Sequence, residues 1–236
     1  MKRFIVLAFA AILPLVAAGQ SFSELGTVHH LANDGSNLVV SGFQNLQKTD
    51  ETIIANAYLW TLENVCPQLK EGISNTSFQQ KRFEFDVMLE HLGSDMKRYV
   101  YSAHAIIRAK DGKLSYLVTN LSYQNSIGGI VNRATPLIKY AAKETAANKV
   151  ILDGAEEAVS KMLNMLFDYI AEHELLPITH WDDIYISRPV EGMNTDECLL
   201  AFGKPLVISG TDEVQWMYNN SFFLFFRDGI VTTILK

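Results

Sequence analysis

The chain has 236 residues, of which 48% are hydrophobic and 19% are charged, with 14 Gly, 6 Pro and 2 Cys. This composition excludes a disordered, collagen-like or disulfide-dense protein, and the length is enough for one large hydrophobic core or two small ones. The formal net charge is −6 and Lys and Arg form no stripe, so neither nucleic acid nor anionic lipid is expected as a partner.

The first 19 residues predict an export signal. Two cations precede an apolar run over residues 4–16, and small residues follow at 17–19, which is the order of a secretory signal peptide. The run is shorter than the roughly 20 residues of a membrane-spanning helix, and Pro14 interrupts it. We therefore expect cleavage near residue 19, no transmembrane span in the mature chain, and a periplasmic or extracellular location. No Cys lies near the cleavage region, so no lipid anchor is expected.

A polar leader over residues 20–36 precedes a first α+β domain, which is predicted over residues 37–176. Apolar and polar residues alternate over 83–90, which predicts a strand with one wet face, and Asp111-Gly112 favours a hairpin turn. Gly154, near the start of the last helix, is expected to loosen the join to the helix before it. The predicted elements are a strand at 37–43, a helix that Thr49 caps and that ends before Pro67, strands at 83–90, 99–108 and 114–123, and helices at 130–149 and 153–173.

A second, smaller domain is predicted over residues 192–236, after a linker or short strand at 177–191 that two prolines bracket. Asn194 and Glu197 have the spacing of a capping box, and Gly203 followed by Pro205 ends the helix. Strands are then expected at 206–209, 214–218, 222–226 and 230–235.

Each domain resembles a known family. Residues 192–205 (GMNTDECLLAFGKP), Gln-Trp-Met-Tyr at 215–218 and the segment LFFRDGIVTTI at 224–234 resemble the SmpA/OmlA (BamE-like) domain. This resemblance implies a small envelope-facing interaction domain. Residues 38–173 are similar, more loosely, to a domain of unknown function with a TBP-like fold, common in secreted Bacteroidetes proteins. The strand–helix start, the Tyr-rich strand from residue 99 and the hairpin RAKDGKLSY carry that similarity, which implies no catalytic residues.

The predicted fold class is thus α+β, with a TBP-like antiparallel sheet and packed helices, then a BamE-like helix with a three- to four-stranded sheet. No Gly-rich phosphate-binding loop and no nucleophile-elbow serine occur, so no enzyme motif is present. Two pairs of adjacent carboxylates occur, Asp50-Glu51 and Glu156-Glu157. Each pair is explained by a position in the first turn of a helix, where the helix dipole favours acids. Cys66 and Cys198 either form a disulfide or remain buried thiols.

The alternative to an interaction protein is a metal-dependent or acid/base hydrolase using His173, Glu174, His180 and Asp182. The two histidines are seven residues apart with a proline between them, whereas a helical metal pair is four apart. A solvated helix end therefore explains them better, and we expect no enzymatic activity, no metal and no cofactor. A weaker metal candidate is His29-His30 in the leader.

The five consecutive apolar residues at 222–226 give one strand two apolar faces. One face must join the local core, and the other packs against the first domain, a second copy or a partner. We predict that Phe223 and Phe225 form the outer pair, while Trp216 and Tyr218 support the capped helix. The predicted partner-binding residues are Phe223, Phe225, Trp216 and Tyr218, and the partner is another envelope protein or a second copy. The function predicted is an exported, non-catalytic protein–protein interaction module.

Overall fold

The computed structural model describes residues 29–65, 72–94, 96–124, 126–127, 130–131 and 134–236. A seven-stranded antiparallel sheet carries two long helices, and a four-stranded antiparallel sheet follows later in the chain. The mixed α+β class is therefore confirmed. The predicted signal peptide and Cys66 lie outside the described residues. Within the described ranges, no helix is both long and apolar enough to cross a membrane.

The large sheet contains the strands β1 (Ala32–Asn33), β2 (Leu38–Asn45), β3 (Ile73–Ser77), β4 (Arg82–Leu92), β5 (Arg98–Lys110), β6 (Lys113–Gln124) and β9 (Thr135–Pro136). A separate ribbon joins β7 (Ser126–Ile127) to β8 (Ile130–Val131). The order across the large sheet is β1-β2-β6-β5-β4-β3, and β9 also pairs with β6. Neighbours along the chain are mostly neighbours in the sheet, as expected for strands joined by short turns.

The alternation predicted for β4 is confirmed except at Glu84, which is buried. Its buried apolar residues are Phe83, Phe85, Val87 and Leu89, whereas Asp86, Met88 and Glu90 are exposed. The hairpin between β5 and β6 is confirmed as well. Asp111 and Gly112 have φ angles of 55° and 71°, the positive values that a tight hairpin turn requires. One face of the sheet is thus apolar and able to receive helices.

The first helix, α1 (Asp50–Asn64), begins where the sequence predicts. The Thr49 side chain accepts a hydrogen bond from the Thr52 N–H, and two acids occupy the first turn. Such a cap satisfies one of the otherwise unpaired N–H groups at a helix start. Residues 53–62 are all buried because α1 lies between the sheet and the other helices.

The boundaries predicted for the two helices at 130–149 and 153–173 are wrong. The structure has a short α2 (Ile138–Ala141) and one continuous helix of 27 residues, α3 (Ala146–Glu172). Pro136 lies in β9, paired with β6, so the chain is extended where helix was expected. Thr145 then caps α3 by accepting from the Asn148 N–H.

Gly154 does not loosen a join between helices, because it lies inside α3. A Cβ atom there would lie only 2.6 Å from the Tyr101 hydroxyl oxygen. That hydroxyl donates to the Ile151 carbonyl, 3.0 Å away. The missing side chain therefore allows α3 to approach the sheet closely.

From His29 onward, the predicted polar leader is docked on α3. The His29 N–H donates to Ser160 Oγ at 2.8 Å, and the Leu31 N–H donates to Glu156 Oε1 at the same distance. Both acceptors belong to α3, so Glu156 lies in the middle of that helix and not in its first turn. Its role is to hold the incoming chain, which corrects the prediction made from its position beside Glu157.

The C-terminal part begins with α4 (Trp181–Tyr185), inside the segment predicted as a linker or short strand. The Trp181 ring lies 6.1 Å from that of Phe78, and Ile184 is buried. These apolar residues attach the segment to the part of the chain that forms the large sheet. The remaining elements are α5 (Thr195–Phe202), β10 (Val207–Ser209), β11 (Val214–Asn219), β12 (Phe222–Arg227) and β13 (Ile230–Leu235). The strands form a meander in chain order, and one hydrophobic core extends through both parts.

Candidate functional site

The inner face of the C-terminal sheet is an aromatic platform beneath α5. Trp216, Tyr218, Leu224 and Phe226 are buried, with the Trp216 and Phe226 rings 4.5 Å apart. The Phe202 ring of α5 meets Tyr218 edge-on at 5.7 Å. The predicted support of the capped helix is therefore confirmed. Because Trp216 and Tyr218 are buried, they are not part of an exposed surface, which corrects their inclusion among the partner-binding residues.

The outer face of this sheet, by contrast, carries an apolar row. Strand register aligns Val207 with Met217, Met217 with Phe223, and Phe223 with Leu235, so one residue from each strand lies in the row. In the adjacent row, Phe225 is opposite Gln215 and Thr233. We call Val207, Met217, Phe223, Phe225 and Leu235 the outer face.

The outer face lies outside the hydrophobic core. Phe223 and Phe225 are partly exposed, whereas Leu224 and Phe226 between and beside them are buried. Val207 and Leu235 at the two ends of the row are 46% and 52% exposed. The predicted assignment of the two faces is thus correct. Neither Phe223 nor Phe225 packs against the hydrophobic core, which includes the residues beneath the large sheet.

Glu197 connects α5 to the segment before it. Its buried carboxylate accepts from the N–H groups of Asn194 at 2.9 Å, Thr179 at 2.5 Å and His180 at 2.8 Å. The ring Nδ1 of His180 lies 3.0 Å from the second carboxylate oxygen. Burial opposes ionisation, but these donors outweigh it and hold the pKa of Glu197 below its ordinary value. The capping box is confirmed, and it also fixes residues 179–180.

The residues of the alternative hydrolase cluster have separate surroundings. His180 is engaged by Glu197, while the His173 ring stacks on Tyr169 with centroids 4.6 Å apart. Glu174 and Asp182 are exposed. Across the described ranges, no group of three His, Cys, Asp or Glu side chains is placed to hold a metal ion.

Of the remaining predicted candidates, His29 and Cys198 are buried, whereas His30 is exposed. His29 Nδ1 is 2.7 Å from the Tyr116 hydroxyl, and His30 Nδ1 lies 3.4 Å from Glu156. Cys198 is a buried free thiol whose pKa is raised by burial. A protonated, inaccessible thiol is a poor nucleophile.

One polar network in the structure was not predicted from the sequence. Glu84 on β4 is buried, although its alternation predicts a wet position. It accepts from Asn75 Nδ2 at 2.7 Å and from the Arg82 guanidinium. The Asn75 bond, more than any other contact, lowers the pKa of Glu84 against the opposing effect of burial. In the sequence, the only sign of this network was that Glu84 and Asp86 lie two residues apart, and therefore on the same face of the strand.

His104 on β5 completes this network. Its Nε2 lies 3.3 Å from Glu84 and its Nδ1 lies 2.8 Å from Asp86. Because carboxylates engage both ring nitrogens, neither nitrogen is free to act as a base or to bind a metal. The network therefore crosslinks β4 and β5 on the face opposite the helices.

No family model matches the chain, and no curated protein matches it. Among solved structures, the chain is similar to a TBP-like protein from Parabacteroides distasonis, with a TM-score of 0.51 and 12% identity, over 61% of this chain and 98% of that one. It also matches a DUF4468 family protein from Bacteroides ovatus, with a TM-score of 0.42 and 9% identity, over 62% and 94% of the two chains. The first similarity supports the predicted TBP-like fold. At this identity it bears on the fold alone.

Proposed function

We propose that this protein is an exported, non-catalytic interaction module that binds another exported protein through the outer face. The observation that carries the proposal is the apolar row across four strands, with Phe223 and Phe225 partly exposed outside the core. Contiguous exposed apolar residues are characteristic of protein interaction sites. The partner is expected to present an apolar surface, because the outer face includes no charged side chain.

The proposal includes two domains, with the division near residues 177–191 and a BamE-like C-terminal domain. A helix with a capping box, followed by an antiparallel meander, supports that family relation. It accords with the sequence motifs at 192–205, 215–218 and 224–234. The short helix α4 also precedes the Gly192-Met193 turn.

Export is tested by the mass of the mature protein. The order of cations, apolar run and small residues predicts cleavage near residue 19. We expect intact-mass analysis of protein recovered from the envelope or medium of a bacterial host to show a chain beginning near residue 20. A full-length chain retaining Met1 in that fraction would contradict export by cleavage.

Partner binding is tested by replacing both outer phenylalanines with serine. Phe223→Ser with Phe225→Ser should change the free energy of unfolding by about 1–2 kcal/mol at most, because neither side chain is in the core. We expect recovery of the bound protein in quantitative affinity purification from the native envelope to fall by about 10-fold or more.

The matched control for this pair is Met88→Ser with Leu92→Ser. Both residues are exposed and apolar but lie on β4 of the large sheet, at 54% and 61% exposure. This control should retain the bound protein. Equal recovery with wild type and with the outer-face variant would refute the proposed binding surface.

A further inference from the structure

The strand β10 forms an open edge of the C-terminal sheet. Only β11 pairs with it among the described strands, so its other side has backbone groups with no strand beside them. At the opposite edge, the Gly192 N–H donates to the Val231 carbonyl and the Val231 N–H to the Met193 carbonyl. Residues 192–194 therefore cover the edge of β13. An unpaired strand edge is a template for another strand.

The side chains of this edge favour association as well. Leu206, Val207 and Ile208 are 54%, 46% and 59% exposed, and residues 205–211 contain no charge. The edge strand β3 of the large sheet differs, because its exposed residues are Ser74, Asn75 and Thr76. Proteins usually protect exposed edges with charged residues within the strand. The strand β10 lacks that protection.

The charges that flank β10 indicate which strand pairs with it. Lys204 lies before the strand, while Asp212 and Glu213 lie in the turn after it. When two copies of β10 align antiparallel with Ile208 opposite itself, the basic start of each meets the acidic end of the other. Opposite charges at both ends favour this register, and a parallel pairing would bring like charges together.

We propose that two copies of this chain dimerise by antiparallel pairing of β10 about a two-fold axis at Ile208, which joins two four-stranded sheets into one of eight strands. The pairing buries Leu206 and Ile208 of each copy beside the axis. It uses the strand edge rather than the phenylalanines of the outer face, so it goes beyond the proposed function and does not depend on it.

The test is a charge exchange at the axis, followed by sedimentation velocity over a concentration series. Wild type should dimerise, whereas Ile208→Lys and Ile208→Glu should each weaken self-association by about 100-fold or more, since equal charges would face each other. A mixture of the two variants should restore dimers, because opposite charges then meet. Ile230→Lys is the matched control, since Ile230 is exposed on the other edge strand, and it should dimerise like wild type.

Each result has a defined meaning. A wild type that stays monomeric from about 1 to 300 µM overturns the proposal, including the case in which β10 binds an extended segment of a different protein. Dimers that persist in both Ile208 variants, or a mixture that does not recover, overturn the register. The Phe223→Ser, Phe225→Ser protein should still dimerise, so unchanged partner binding in this variant, together with an intact dimer, refutes the proposed function alone.

Discussion

Replacing Glu197 by Gln is expected to lower the free energy of unfolding by about 3 kcal/mol or more. The buried carboxylate accepts from three backbone N–H groups and faces the ring Nδ1 of His180. A glutamine amide has one oxygen in place of two and brings N–H groups toward donors that then lack an acceptor. Buried groups left unpaired in this way cost about 1–3 kcal/mol each. Equilibrium urea unfolding measures the loss.

The neighbouring acid provides the control. Asp196 accepts one exposed hydrogen bond, from the Leu176 N–H at 2.9 Å. Asp196→Asn should therefore cost about 1 kcal/mol or less. Limited proteolysis should show faster cleavage within residues 177–191 only for the Glu197 variant, because Glu197 fixes residues 179–180. Equal losses in the two variants would show that Glu197 has no special structural role.

The same site predicts an acid-dependent loss of stability. The folded-state pKa of Glu197 lies below its ordinary value of 4.5, so the unfolded chain binds a proton more readily than the folded chain does. The stabilisation is complete above that ordinary value and disappears as the pH falls through the folded-state pKa. The wild-type advantage over Glu197→Gln should therefore shrink below about pH 4.5. A difference that is constant down to low pH would contradict this.

Local signals predicted most of the elements. The alternation in β4, the Asp111-Gly112 turn and the caps at Thr49 and Asn194 each depend on residues close together in the chain. Such signals require no knowledge of the tertiary structure. The two-faced strand β12 was also predicted, because five consecutive apolar residues leave only two assignments of the faces.

Long-range contacts account for what the sequence did not predict. Gly154 resembles a helix breaker in sequence, yet its role depends on Tyr101, which lies 53 positions earlier in the chain. Glu84 has the alternation of an exposed residue, but Asn75 and His104 cover it from neighbouring strands. Glu197 was predicted as part of a capping box, while its bonds to residues 179–180 need the path of a distant segment.

In the candidate site, too, local signals were predicted from the sequence and long-range contacts were not. Strand parity separated Phe223 and Phe225 from the core residues, but parity alone does not say which members of a face remain accessible. Trp216 and Tyr218 were included in the binding surface although α5 and the inner face bury them. The open edge at β10 was not visible in the sequence either, because edges depend on strand order and on the cover that residues 192–194 give to β13.

Replacing Phe226 by Ala should destabilise the protein by about 3–5 kcal/mol, whereas Phe225→Ala should cost about 1 kcal/mol or less. Adjacent phenylalanines on one strand thus provide a matched pair that differs in face. Phe226 is 2% exposed and its ring lies 4.5 Å from that of Trp216, so its removal leaves a cavity in the aromatic platform. Phe225 is partly exposed and lies beyond the core.

The measurement is urea unfolding followed by Trp fluorescence, to which Trp216 contributes together with Trp60 and Trp181. For Phe226→Ala we expect a lower midpoint together with a changed native emission, because Trp216 loses its nearest ring. For Phe225→Ala both should remain close to wild type. Equal destabilisation by the two substitutions would show that both faces of β12 are buried in solution. In that case the surface proposed for partner binding would be occupied within the folded chain itself.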